Sequence, residues 1–144
     1  MIGGAGADTL TGGNGSDTAS YTNASAGVTA NLANAAANTG DASSDVYSSI
    51  ENLIGSGLAD TLIGDGAANA IDGGIGNDTL IGGAGADTLT GGAGTDTVSY
   101  STAASGLTAS LANTALNSGD ALGDVYATIE NLTGSAQADT LHGD

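Results

Sequence analysis

The 144-residue sequence predicts an all-β fold, a parallel solenoid of about eight coils. Three observations lead there. A nine-residue unit G-G-x-G-x-D-x-U-x, with U a large apolar residue, recurs in tandem, as in the run GGIGNDTLIGGAGADTLTGGAGTDTVS from Gly73 to Ser99. A period of 79 residues overlies it, so that Ile2–Asp65 matches Ile81–Asp144. Apolar residues also keep a nine-residue step where the glycine signature lapses. Repetition at a fixed period marks a stacked architecture, in which one unit cannot bury its apolar side alone.

Two units open the chain, Gly3–Thr11 and Gly12–Ser20. Five more run from Gly55 to Ser99, and Gly134–His142 is followed by Gly143-Asp144, the start of another. The stretches 21–54 and 100–133 lack the signature, yet the U series crosses them. It reads Leu10, Ala19, Val28, Ala37, Val46, then a short step to Leu53, Leu62, Ile71, Leu80, Leu89, Val98, Leu107, Leu116, Val125, and another short step to Leu132 and Leu141. Residues 1–144 therefore read as one continuous solenoid of sixteen half-turns. Its repeat arrays are 3–20, 55–99 and 134–144, and the coils 21–54 and 100–133 have longer, metal-free turns. Nine residues divide into a turn of about six, where glycine permits φ > 0 and close backbone approach, and a strand of about three, whose alternation turns U inward.

Composition limits the partners. Sixteen acids face no Lys or Arg and one His, a formal charge of −16. Nothing here attracts a phosphate backbone, so nucleic acid is excluded, and an anionic membrane surface is disfavoured. No apolar run reaches the ~18 residues of a span, so direct membrane insertion is not expected. The opening MIGGAGADTL has neither the basic nor the apolar region of a classical signal peptide. The partner of such a surface is a cation.

The acids are placed for one. Alternate units share an edge of the solenoid, so Asp60, Asp78 and Asp96 stack on one edge and Asn69 and Asp87 on the other. Carboxylates one coil apart repel by ~3 kcal/mol at an effective dielectric near 20. With no basic side chain available, a divalent ion must offset this. Acid oxygens and turn carbonyls make an all-oxygen cage, and the flexible coordination of Ca²⁺ suits it better than octahedral Mg²⁺. Softer metals would want His or Cys.

These units resemble the RTX (repeats-in-toxin) calcium-binding repeats of secreted bacterial proteins. The resemblance implies a right-handed parallel β-roll with Ca²⁺ in its Gly/Asp turns, folding upon calcium binding, and type I secretion. It puts the ligand carboxylates on Asp8, Asp17, Asp60, Asp78, Asp87, Asp96 and Asp139, and a weaker amide ligand on Asn69. It adds the backbone carbonyls of Gly73, Gly74, Gly76, Gly82, Gly83, Gly85, Gly91, Gly92 and Gly94. The turns of GSGLADTLI and GSAQADTLH lack the second glycine and fit less well. Asp65 and Asp72 add charge to the array. Asp41, Asp45, Asp120 and Asp124 read as solvated turn acids, with metal binding the alternative, and Glu51 and Glu130 as hydrogen-bonding a turn.

No enzyme is expected. The single His142 has no partner thiol, and the GxGxxG-like runs lack the Lys and the strand–helix frame of a phosphate loop. The core is thin, filled by U residues and Ala, so metal binding and folding should be one event. Two roles fit. One is an extracellular structural or adhesive subunit on the bacterial surface, polymerising head to tail; Met1 starts the chain, both termini stop inside the repeat pattern, and uncapped ends invite a heterologous, open-ended contact. Calcium shared by Asp17 and Asp139 of successive copies would bridge it. The other role is a calcium-binding module of a larger secreted adhesin, S-layer protein or hydrolase.

Overall fold

The three-residue strand expected between glycine turns is the unit from which the fold is built. A computed structural model describes residues 1–144 and contains fourteen strands. They are β1 (Thr9–Thr11), β2 (Thr18–Ser20), β3 (Thr29–Asn31), β4 (Val46–Ser48), β5 (Asn52–Ile54), β6 (Thr61–Ile63), β7 (Ala70–Ile75), β8 (Thr79–Ile81), β9 (Thr88–Ala93), β10 (Thr97–Ser99), β11 (Thr108–Ser110), β12 (Val125–Ala127), β13 (Asn131–Thr133) and β14 (Thr140–His142). There is no α-helix; the two non-repeat stretches each hold two single 3-10 turns, Ala35–Ala37 and Gly40–Ala42, and Thr114–Leu116 and Gly119–Ala121.

Every strand pairing is parallel. Two five-stranded sheets, β2-β5-β7-β9-β12 and β3-β6-β8-β10-β13, form the two faces of the roll. Two-stranded sheets β1-β4 and β11-β14 complete it. An asparagine joins each small sheet to a large one. The Asn38 side chain accepts the Asn31 N–H (2.8 Å) and donates to the Asp45 carbonyl (3.3 Å), spanning from β3 to the start of β4. Asn117 does the same between Ser110 (2.8 Å) and Asp124 (3.4 Å). One amide side chain thus stands where a strand's backbone would be, satisfying the buried donors and acceptors of two sheet edges.

The middle residue of each strand points inward. Ala19, Leu53, Leu62, Leu80, Leu89 and Val98 are fully buried, and Leu10 and Ile71 nearly so. A single apolar cluster runs from Leu10 to Ile129. The apolar series is corrected in the non-repeat coils. Their strand centres are Ala30, Tyr47, Ala109 and Tyr126, while Val46 and Val125 are each 52% exposed and Ala37 and Leu116 lie in 3-10 turns. Val28 and Leu107 are buried, but just before their strands rather than within them. The sixteen expected half-turns are fourteen strands, seven to a face once the asparagine joints are counted, because segments 32–45 and 111–124 spend their length on helical turns.

Candidate metal centre

Each repeat acid begins as a backbone device. Except at Asp8 and Asp17 in the first coil, its Oδ1 accepts the N–H of a residue one coil earlier, 18 residues back within the central array. Asp78 receives Asp60, Asp96 receives Asp78, and Asp87 receives Asn69, each at 2.8 Å. The rungs continue through the non-repeat coils: Asp60 receives Val28 (2.7 Å), Asp139 receives Leu107 (3.0 Å), and Asp124 receives Asp87 (2.9 Å). Glu51 and Glu130 accept Asp17 (2.9 Å) and Asp96 (2.7 Å), as their sequence reading had it. The rungs divide between the two edges as the alternation of units requires, Asp60, Asp78 and Asp96 on one, Asn69 and Asp87 on the other.

The second carboxylate oxygen separates two kinds of turn. Where a residue other than glycine follows the first glycine, its N–H closes that oxygen. Ser56 donates to Asp60 Oδ2 (2.5 Å) and Ser135 to Asp139 Oδ2 (2.7 Å), and at the amide in this place Asp65 donates to the single oxygen of Asn69 (2.9 Å). Where a second glycine follows, the backbone rotates to positive φ, as at Gly74 (97°) and Gly92 (102°), and no N–H reaches the acid. The Oδ2 atoms of Asp17, Asp78, Asp87 and Asp96 are then buried without any hydrogen-bond partner. Asp78, Asp87 and Asp96 are at most 1% exposed. A buried carboxylate oxygen left unpaired costs more than almost any other polar defect, and the chain has no Lys or Arg to offer.

Main-chain oxygens face the same places. A Cβ on Gly73 would overlap both Asp78 Oδ2 and the Gly91 carbonyl, and Gly55 is covered likewise by Asp60 Oδ2 and the Gly73 carbonyl. The Gly82 carbonyl lies over Gly64, next to Asn69 Oδ1. The Gly74 and Gly76 carbonyls turn the other way, over Gly92 and Gly94. Alternating carbonyls beside an unpaired carboxylate are the donor set a hard cation takes. No three His, Cys, Asp or Glu side chains converge, so side chains alone do not make a site. Asp8 is half-buried and its carboxylate makes no hydrogen bond.

Burial pushes the Asp87 carboxyl up to about 6; the Asn69 N–H works against that, while the charges of Asp124 and Asp65 work with it. Burial raises Asp78 as well.

Asp45 and Asp124 are not solvated turn acids. Both are 0% exposed. Each holds a rung with Oδ1, and a tyrosine closes Oδ2: Tyr21 on Asp45 (2.7 Å) and Tyr100 on Asp124 (2.5 Å). A second tyrosine, Tyr47 or Tyr126, joins each pair through its hydroxyl (2.6 and 2.5 Å). Burial, and then hydrogen bonding, raises the Tyr21 and Tyr100 hydroxyls. The signal available in the sequence was that all four Tyr keep the 79-residue offset, one directly after Asp45-Val46 and its copy after Asp124-Val125.

A parallel solenoid with glycine turns and acids at their corners defines a class, the β-rolls. The family model for the RTX calcium-binding nonapeptide repeat matches in four copies, over residues 1–20, 47–80, 72–101 and 126–144. That is well over half the chain, and the protein belongs to the RTX calcium-binding repeat family. No curated protein matches it.

Proposed function

We propose that this protein is an extracellular structural or adhesive β-roll that calcium orders and that extends by stacking end to end. The observation that carries the calcium reading is the set of four buried, unpartnered oxygens on Asp17, Asp78, Asp87 and Asp96, all in Gly-Gly turns. These acids with the neighbouring glycine carbonyls would hold the ions, one or two carboxylates to each. Asp60, Asn69 and Asp139 have their oxygens taken by the Ser or Asp after the first glycine, and are the weaker ligands of the set. Asp8 belongs to an end coil and awaits a neighbour. Calcium supplies charge neutralisation and fixes turn geometry; nothing in the arrangement is set up for catalysis. Calorimetric titration of the calcium-depleted protein, followed in parallel by far-UV circular dichroism, tests this: β signal and heat should rise together. Full β content in excess chelator would sink it.

Stacking has its own support. Every rung runs one way, the lower coil donating and the upper accepting. At one end the Asp139 N–H therefore has no rung acceptor, and at the other the Asp17 Oδ1 has no donor. The junction lets Asp139 of one copy donate to Asp17 of the next, with calcium at the unpaired Asp17 Oδ2. Met1 and Ile2 lie along the outer edge of β2, where the Met1 carbonyl accepts the Ser20 N–H (2.8 Å), so β14 of a second copy would displace them. The same polar edges also suit a module continued by further coils of a larger secreted protein, the second reading. Electron microscopy with millimolar calcium and with chelator separates them: calcium-dependent fibres favour the subunit, and monomers in both favour the module.

A further inference from the structure

The repeat turns do not end the series of unpaired oxygens. Asp96 is 0% exposed and its Oδ2 has no partner, yet the coil above it contains no nonapeptide turn. That coil instead makes a three-residue corner, Thr128-Ile129-Glu130. Thr128 takes a left-handed backbone (φ 50°). Its carbonyl stands with Asp96 Oδ2 over Gly91, where a Cβ would overlap both, as the Gly91 carbonyl stands with Asp78 Oδ2 over Gly73. The Thr128 hydroxyl accepts the Gly92 N–H (2.7 Å) and pins the two turns together. Glu130 makes the rung to Asp96 with Oε2 alone (2.7 Å), leaving Oε1 without a protein partner.

We propose that Asp96, Thr128 and Glu130 form a hybrid calcium site, half repeat turn and half short corner. The inference rests on the calcium reading above and adds ligands that lie outside the nonapeptide pattern. Asp96 contributes Oδ2, Thr128 its carbonyl and Glu130 its free carboxylate oxygen, the all-oxygen anionic set of a hard divalent ion. The same arrangement recurs 79 residues earlier: Ser49 (φ 53°) places its carbonyl over Gly12, Asp17 Oδ2 is unpaired, and Glu51 makes the rung. Asp124 supplies the contrast within one coil, since Tyr100 already fills the place an ion would take.

The test is Glu130→Gln, which keeps an oxygen acceptor for the Asp96 N–H and removes the charge. Native mass spectrometry counts bound calcium, and calorimetric titration reads affinity. The variant should keep its calcium-saturated β signal and lose one ion, or bind that ion roughly tenfold more weakly. Asp124→Asn should keep the wild-type count. An unchanged count and affinity in Glu130→Gln overturns the hybrid site, even while Asp78→Asn still loses an ion and upholds the repeat sites. Should Glu130→Gln fail to fold, Glu51→Gln decides on the same criteria. A wild-type protein that binds no calcium overturns both readings at once.

Discussion

At the level of single residues, the difference between one occupied and one unpaired carboxylate oxygen decides what each acid does. Asp78 and Asp60 are consecutive rungs of one ladder, but only Asp60 has an N–H and a hydroxyl from Ser56 against it. Asp78→Asn should therefore weaken calcium binding clearly, and Asp60→Asn only slightly, when both are titrated calorimetrically. Tyr100→Phe strips the only side-chain donor from Asp124 Oδ2 and leaves it buried. It should cost about 1–3 kcal/mol, measured as a shift in thermal midpoint at saturating calcium. Protons would compete with a metal at Asp87. Its folded pKa, about 6, lies above the ordinary carboxylate range near 4, so the folded state without metal binds the proton more tightly than the unfolded chain does. That contribution is fully present below about pH 4 and is lost as pH rises through about 6. Calcium-depleted protein should gain β signal by circular dichroism on acidification from pH 7 to about 4.5.

Single strands of three residues are too short to persist alone, and their stability comes from neighbours one coil away. Leu80 is fully buried in β8, between β6 and β10. Leu80→Ala should cost about 2–5 kcal/mol, read from thermal unfolding in saturating calcium. The turns are equally intolerant. Pairing of β7 with β9 runs on past the strand centres to Gly74 opposite Gly92. Gly92→Ala would set a Cβ against the Gly74 carbonyl at a positive φ, so a loss of cooperative calcium-induced folding is expected in the same titration. The non-repeat coils solve the same problem by other means. They put an asparagine amide between sheets and a tyrosine hydroxyl on a buried acid, which lets the corners at Asp45 and Asp124 close with protein groups.

Across the whole molecule, sixteen negative charges with no basic side chain make the folded state self-repelling until ions enter. Added monovalent salt screens exposed charges but reaches buried pairs poorly. Sodium chloride should therefore restore little of the β signal that millimolar calcium restores, as a direct dichroism comparison would read. The tyrosine-closed acids Asp45 and Asp124 flank the central array from Gly55 to Ser99, where the unpaired oxygens of Asp78, Asp87 and Asp96 lie. Three of the four unpaired oxygens thus lie in the middle of the roll, and the fourth, on Asp17, lies near its first coil.

The sequence by itself determined the solenoid, the parallel strands, the inward leucines and the edge on which each repeat acid falls. All of these follow from a nine-residue period in a chain whose side chains alternate along each strand. Tertiary structure decided what happens where the period breaks. Apolar spacing placed Val46 and Val125 inside, but the backbone shifts by one residue there and packs the partly buried Tyr47 and Tyr126 against the core as strand centres instead, because those coils contain 3-10 turns that a spacing rule cannot see. It also decided which acids are saturated. Asp60 and Asp78 look alike in sequence apart from the residue after the first glycine, and whether that N–H points at the acid depends on the backbone rotation a second glycine permits. That Glu130 meets Asp96 across 34 residues is a fact of winding, which only the stacked coils supply.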